Sequence, residues 1–426
     1  MSLSFIECVM QEIWASKKTE YDKIYNMAME TPLSELDEKL KNVQMMFYNY
    51  PKSCMNLLPT CGCDHHYNNG KFTGCSMCNY HSHSIRETAI MRAVRNRDEE
   101  LYARVLKQGF INKRGYVYEH TGEEVITGYN FLSDIEFPQK AYELLFENDP
   151  VYKKRPFLFS FETRIDSITT EKLATVRKYL DKGRILVESG IETGNEWIRN
   201  HWLNKNTNNN GIEHAIQLCH TNKMRFKGNV IFGIPGFCEK DSINDFIQTI
   251  LWLDDIGCDY ITAMILNQKE YTLQNYLAGL AQRNPEPFEK IGIDINHNML
   301  PWLFSFTYAM HVLLTQRPSL VKKLGIGQYS IELNSVPNEL AYNDIRDCNC
   351  FYQTIQTIVD FNQTFDQTCF SKLYVQQKEN PCNCYNQYEK TLERQKNSNQ
   401  HTTIEILADA IAHDLNIKNA LASPSF

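Results

Sequence analysis

From about residue 123 the chain alternates short apolar runs with amphipathic stretches. EEVITGYNFL, FLFSFETRID, RILVESGIET, KGNVIFGIPG and DYITAMILN are rich in β-branched and aromatic residues and read as strands. Helical stretches near 138–148, 171–182, 195–222 and 241–256 separate them, and TLQNYLAGLAQR follows the last. A shorter apolar run, Met55 to Leu58, adds a strand ahead of these, so the pattern predicts six βα units on a parallel sheet. Six units fall short of a closed eight-strand barrel. The expected α/β fold is a partial (β/α)6 TIM barrel, with a doubly wound open sheet equally compatible with the periodicity.

The flanks differ from this core. Residues 1–50 read as a helical N-terminal extension, with Phe5, Val9 and Ile13 on one face and Ser34 as N-cap before ELDEKLKNVQMM. Residues 83–108 read as a long charged helix. PEPF marks a turn and LPWLFSFTYAMHVLL a buried aromatic helix. The division expected is an extension over 1–50, a barrel over 51–285, a cysteine-containing C-terminal domain over 286–397 and a tail over 398–426, in part poorly ordered.

Composition narrows the class. A chain of 426 residues, 42% hydrophobic, can bury a large core. The start, MSLSFIECVMQEIW, lacks a basic n-region, and no run approaches the roughly 20 apolar residues of a membrane span, so a cytoplasmic protein is expected. Its net charge of −7 gives no global nucleic-acid signal, although the segment from Lys71 to Arg114 carries a local excess of basic residues. That excess reads as a solvated helix face or as a contact surface for an anionic substrate. Fourteen cysteines, grouped as CxC and CxxC, suit metal binding in a reducing compartment better than a disulfide scaffold.

The densest group lies in TCGCDHHYNNGKFTGCSMCNY, residues 60–80. Cys63, Cys75 and Cys78 sit in a polar, glycine-punctuated loop where three thiolates can converge and leave one coordination position open, as in an iron–sulfur site with one free iron. Cys61 competes with Cys63 for the first position, and all four would make a zinc knuckle. Near the C-terminus, Cys348, Cys350, Cys382 and Cys384 have the right number for a structural zinc, the favoured reading, or for a second iron–sulfur cluster. If chemistry gathers at the C-terminal ends of the strands, the polar residues there matter. Arg164 can grip a carboxylate through two parallel N–H bonds or pair with Asp166 or Glu162, and alternation puts Glu188, Gly190 and Glu192 on one face toward the lumen.

The cysteine loop resembles that of radical S-adenosylmethionine (SAM) enzymes with an expanded first gap, such as the elongator catalytic subunit and, more closely, the radical SAM subunit of archaeosine synthase. Thr60, Gly62, Cys63, Gly74, Cys75, Met77, Cys78 and Tyr80 carry the likeness, although the eleven residues between Cys63 and Cys75 exceed that pattern. The resemblance extends through Gly128, Asn130, Phe131, Leu132, Glu136 and Pro138, through Glu162 and Arg164, and through Glu192, Thr193, Ile198, Arg199, Asn204 and Lys205. It continues in Gly233-Ile234-Pro235-Gly236, Asn267-Gln268, Thr272-Leu273, Leu277, Pro301-Trp302-Leu303, Ser305 and the two CxC pairs.

What the resemblance implies is a [4Fe–4S] cluster on Cys63, Cys75 and Cys78 whose remaining iron is chelated by SAM. Reductive cleavage of SAM then yields methionine and a 5′-deoxyadenosyl radical that abstracts hydrogen from a substrate. It implies cofactor-binding roles for Gly128, Asn130, Glu162, Arg164, Glu188, Glu192, Arg199 and Lys205, with Arg164 near the methionine carboxylate and the 233–236 turn near adenine. It also implies an electron donor such as flavodoxin or ferredoxin. The substrate expected is a small molecule or peptide of a biosynthetic pathway, with a tRNA base as the alternative. A protein using zinc or iron–sulfur only for structure is the rival reading, which the strand-end carboxylates oppose.

Overall fold

The computed structural model describes residues 3–41, 46–49, 53–68, 70–108, 123–127, 129–146, 158–180, 184–293, 295, 299–327, 338–339 and 348–423. Its main sheet has eight strands: β1 (Met46–Asn49), β2 (Ser53–Leu57), β3 (Glu123–Thr127), β4 (Leu158–Glu162), β5 (Arg184–Glu192), β6 (Arg225–Phe232), β7 (Tyr260–Ile265) and β8 (Leu324–Ile326). Their spatial order is their chain order. β1 pairs antiparallel with β2, and every later neighbour pairs in parallel.

A doubly wound sheet must reverse its strand order at a switch point, and this one never does. Winding in one direction is barrel winding, and β2 to β7 are the six strands the sequence predicts. The barrel is not closed: among the described residues β1 and β8 remain unjoined edges. The short strands β1 and β8 were not anticipated, β1 falling in a stretch read as helical. The central strands are buried on both faces, which explains why LFSFE and VIF read as continuous apolar runs rather than alternating ones.

The helices are α1 (Phe5–Ile13), α2 (Ala15–Glu30), α3 (Leu33–Leu40), α4 (Ile85–Arg97), α5 (Gln139–Phe146), α6 (Thr170–Tyr179), α7 (Asn209–Thr221), α8 (Glu239–Asp255), α9 (Leu273–Arg283), α10 (Glu286–Lys290), α11 (Leu303–Gln316), α12 (Asn349–Thr364), α13 (Cys369–Glu379), α14 (Asn383–Gln395) and α15 (Gln400–Leu415). The charged helix expected over 83–108 breaks at Asp98, whose extended backbone caps α4. The tail is ordered further than expected: α15 buries Ile404, Leu407, Ala408 and Ile411, and a side chain added at Gly236 (φ +82°) would strike Leu407 Cδ1 at 2.4 Å.

The N-terminal helices belong to the core rather than resting beside it. Ser4 and Glu7 form a capping box that starts α1, and Phe5, Ile6, Val9, Met10 and Trp14 are buried in the same apolar cluster as the barrel strands. Trp14 stacks on Phe72 at 5.7 Å and meets His66 edge-on at 4.4 Å, so α1 and α2 wall the cysteine loop from below.

Trp14→Ala should therefore cost about 3–5 kcal/mol, the range for deleting a buried tryptophan. Urea unfolding of parent and variant checks this, and a loss no larger than that of a surface substitution would detach α1 from the core.

Candidate active site

The long gap between Cys63 and Cys75 is folded. Tyr67–Asn68 pairs antiparallel with Lys71–Phe72, and His66 and Phe72 are buried against Trp14. The extra residues thus form a small ribbon seated on α1 and α2, and the two ends of the gap come back together. Gly62 allows the close approach: its φ is +79°, and a Cβ there would lie 2.4 Å from His81 Cε1. Rings of Tyr129, His81 and His66 stack in series at 4.4 and 4.1 Å. Burial, reinforced by Arg92, pushes His81 down to about 3, and burial holds His66 well below the usual imidazole range, so the stack is uncharged near neutrality.

Cys63 and Cys61 separate clearly. Cys61 is fully buried beside Tyr102 and Arg92, with Sγ 3.4 Å from the Ile135 carbonyl. Cys63 and Cys78 each feel the charge of Cys75, while among the described residues the sulfurs gathered tightly enough for one ion are the C-terminal four. Burial acts to raise the Cys75 thiol, but Lys205, His65 and Arg164 outweigh it and pull it down to about 6. Cys78 is pushed up to about 11, by burial first and then by Cys75, and burial also raises Cys63. One thiolate is ready at neutral pH, and a bound cation or cluster would draw the protons from the other two.

Cations converge on these sulfurs. Arg164 Nη1 lies 3.9 Å from Cys75 Sγ, while its Nη2 donates to the Lys205 carbonyl at 2.8 Å and its Nε pairs with Asp166 at 3.2 Å. Of the two readings of Arg164, the pairing with Asp166 is the one seen here. Lys205 pairs with Glu192 at 2.9 Å, and the pair lies directly over Gly190, where an added Cβ would come within 2.4 Å of Glu192 Oε1. Lys269 also faces Cys78 and Glu192, and burial lowers it. Glu162 acts on the same place, since it is the foremost influence raising the Tyr80 hydroxyl, followed by burial, Cys78 and Glu192.

Several expectations need correction. Glu188 is not held open for a ligand, because Lys227 pairs with it at 2.8 Å and Ser160 donates to its Oε1. The alternation that placed Glu192 beside Glu188 is broken by a bulge between Gly190 and Glu192, which leaves Glu192 at φ +65°. Arg199 is fully buried away from the sulfurs, donating to the Thr193 carbonyl at 2.9 Å and the Thr207 carbonyl at 3.1 Å. Asn130 is a hub of the turn after β3. Its Oδ1 accepts from Thr163 Oγ1 at 2.7 Å and from the Arg164 N–H at 3.1 Å, and its Nδ2 donates to Ser167 Oγ at 2.8 Å. The N–H groups of Tyr129 and Asn130 both donate to Glu136 at 2.6 Å; Gly128 lies outside the described residues.

Residues not singled out from sequence complete the site. His65 Nε2 lies 2.6 Å from the Asn204 carbonyl. Asn229, within β6, stands in register with Gly190, 8% exposed, its Oδ1 without a hydrogen-bond partner among the described residues. That acceptor and Lys227 lie on alternate positions of KGNVIF, a period-two signal present in the sequence but unusable without the register. A cleft lined by Gly233, Ile234, Leu266 and Pro301 opens beyond β6. The C-terminal cysteines Cys348, Cys350, Cys382 and Cys384 converge in a separate place, without Cys369.

No known protein-family profile matches the chain. Over 225 residues it is 27% identical to an uncharacterized protein of Methanocaldococcus jannaschii, covering 50% of this chain and 56% of that protein, so it spans little more than half of that relative's length. Among solved structures it is similar to TsrM, a radical S-adenosylmethionine methyltransferase of Kitasatospora setae, with TM-score 0.34 and 13% identity over 54% of this chain and 40% of that one. It is also similar to OxsB, a cobalamin-dependent S-adenosylmethionine radical enzyme, with TM-score 0.34 and 11% identity over 85% of this chain and 54% of that one.

Glu136 offers a test of how the loop and the β3 turn are joined. Burial pushes its carboxyl from 4.5 up to about 8, against the pull of Thr60 and the Asn130 N–H. The folded state then binds this proton more tightly than the unfolded chain, so stability should fall as pH rises from about 4.5 to about 8. Relative to Glu136→Gln, the parent should lose up to about 1.4 kcal/mol per pH unit within that window. Denaturant unfolding at several pH values reads the slope, and a constant difference would show an ionised carboxylate held by its donors.

Proposed function

We propose that the chain is a radical SAM enzyme whose Cys63, Cys75 and Cys78 hold a [4Fe–4S] cluster with one iron left for SAM. The observation carrying this reading is the cationic setting of the loop thiols past the C-terminal ends of parallel strands: Arg164 Nη1 lies 3.9 Å from Cys75 Sγ and donates to the carbonyl of Lys205 through Nη2, the Lys205 ammonium pairs with Glu192, and Cys61 is buried apart. Three sulfur ligands leave a position open, which a purely structural metal does not require. Such a cluster, when bound and reduced, supplies the electron for reductive cleavage of SAM, with flavodoxin or ferredoxin as candidate donors.

The chain's own residues would bind and orient. Arg164 is placed to receive the methionine carboxylate beside Cys75, and Lys205 and Glu192 flank it. Asn229 Oδ1 offers an acceptor to the SAM ammonium or to a ribose hydroxyl. The Gly233-Ile234-Pro235-Gly236 turn is the side on which the adenine would lie.

A small molecule or peptide is favoured as substrate over a tRNA base. Three arginines of the basic segment following the cysteine loop are committed within the protein. Arg92 donates to the Cys61 and Gly62 carbonyls, Arg97 to the Ala28 and Thr31 carbonyls, and Arg95 to the Asp134 and Ile135 carbonyls. Arginines spent on backbone carbonyls have little left for phosphates.

Anaerobic protein reconstituted with iron and sulfide, then given dithionite and SAM, should form 5′-deoxyadenosine and methionine. Cys75→Ala should lose its cluster iron and form neither. A Cys75→Ala protein retaining full iron and turnover would overturn the ligand assignment, and salt-sensitive tRNA binding by the parent would reopen the nucleic-acid reading.

A further inference from the structure

Beyond the loop of three cysteines the fold assembles a second thiol group with a different geometry. The four sulfurs of Cys348, Cys350, Cys382 and Cys384 all lie within 4.8 Å of one another. They come from two CxC pairs 32 residues apart in sequence, each straddling the start of a helix. Cys348 is the N-cap of α12 and Cys382 the N-cap of α14, both with extended backbone, while Cys350 and Cys384 are the second residues of those helices and are buried. All four are thiols rather than disulfides. Two helix N-termini thus point at one cluster of sulfurs, a setting that favours thiolates.

Size discriminates among occupants. Tetrahedral zinc at about 2.3 Å from each sulfur sets the sulfurs about 3.8 Å apart. The observed spacing is compact enough for one ion after a small contraction, whereas a cluster must place several irons and sulfides between its ligands. With four thiolates no position is left for water or substrate, so the site is closed.

We propose that Cys348, Cys350, Cys382 and Cys384 bind one zinc ion in a closed tetrathiolate site that fastens the C-terminal helices onto the β6 end of the barrel. The surroundings show what it would fasten. Cys350 and Cys384 pack with Trp302, Phe304, Tyr385 and Tyr388, and Ser305 Oγ donates to Tyr388 Oη at 3.0 Å. The Trp302 N–H donates to Glu239 Oε2 at 3.2 Å, and the Glu239 N–H donates to Gln395 Oε1 at 2.9 Å, joining α14 to the start of α8. Pro301, next to Trp302, abuts Gly233, where an added Cβ would come within 2.7 Å of its ring. The ion would lock three segments distant in sequence behind the turn after β6.

The test is the metal content of full-length protein purified without air. One zinc per chain is expected in the parent and in Cys63→Ser/Cys75→Ser/Cys78→Ser, and none in Cys350→Ser/Cys384→Ser. Because the last variant may not fold, cobalt is also exchanged into the triple loop variant, where the intense visible bands of tetrahedral thiolate cobalt are expected. Iron with inorganic sulfide in the triple variant would overturn the proposal in favour of a second cluster. The absence of any stoichiometric metal from the folded triple variant would overturn it outright.

Discussion

Asn204 holds the cysteine loop at both ends. Its side chain donates to the Thr73 and Gly74 carbonyls just before Cys75, and its own carbonyl lies 2.6 Å from His65 Nε2, two residues after Cys63. An asparagine tolerates the left-handed backbone this requires, and φ here is +54°. The neighbouring residues extend the clamp, with the Ser76 N–H on the Leu203 carbonyl at 3.0 Å, Ser76 Oγ on the Trp202 carbonyl at 2.8 Å and the Leu273 N–H on the Ser76 carbonyl at 2.8 Å. The loop is therefore pinned from the segments that follow β5 and β7 as well as by its own turns. Lys205 follows Asn204 directly, so the clamp also delivers a cation to Cys75.

This coupling accounts for a gap longer than expected. A loop that had to preorganise its own ends would be penalised for length only slowly, and one pinned at both ends is penalised still less. The inserted residues are further ordered by burial, since Phe72 and His66 pack against Trp14. Length was thus accommodated by adding a floor, α1 and α2, beneath the loop. The floor looked from sequence like an appendage because its one apolar face carries no mark of what it meets.

The barrel was legible because parallel strands buried on both faces leave long apolar runs, and because βα alternation restricts topology. Residues adjacent to the sulfurs, Cys63, Arg164 and Lys205, were legible as motif positions. The misreadings share one cause, since contacts depend on register and turns that periodicity does not encode. Lys227 reaches Glu188 only because β5 and β6 pair in that register, and a single bulge after Gly190 turns Glu192 out of the alternation toward Lys205. Arg199 shares a short segment with Lys205, yet the π-helical turn over Ile198–Trp202 directs it to carbonyls instead.

On the proposed readings, ligand number and setting divide the work between the two cysteine groups. The three loop thiols lie beside ion-paired cations, Arg164 shared between Cys75, Asp166 and the Lys205 carbonyl and Lys205 paired with Glu192, so a ligand entering there can exchange partners with the protein. The four C-terminal thiols are surrounded by the rings of Trp302, Phe304, Tyr385 and Tyr388 and by two helix starts. An environment of exchangeable polar partners suits a site that turns over, and an apolar one suits a fastening. On the proposed readings the same element type, a CxC or CxxC pair, takes opposite roles from what the fold packs around it.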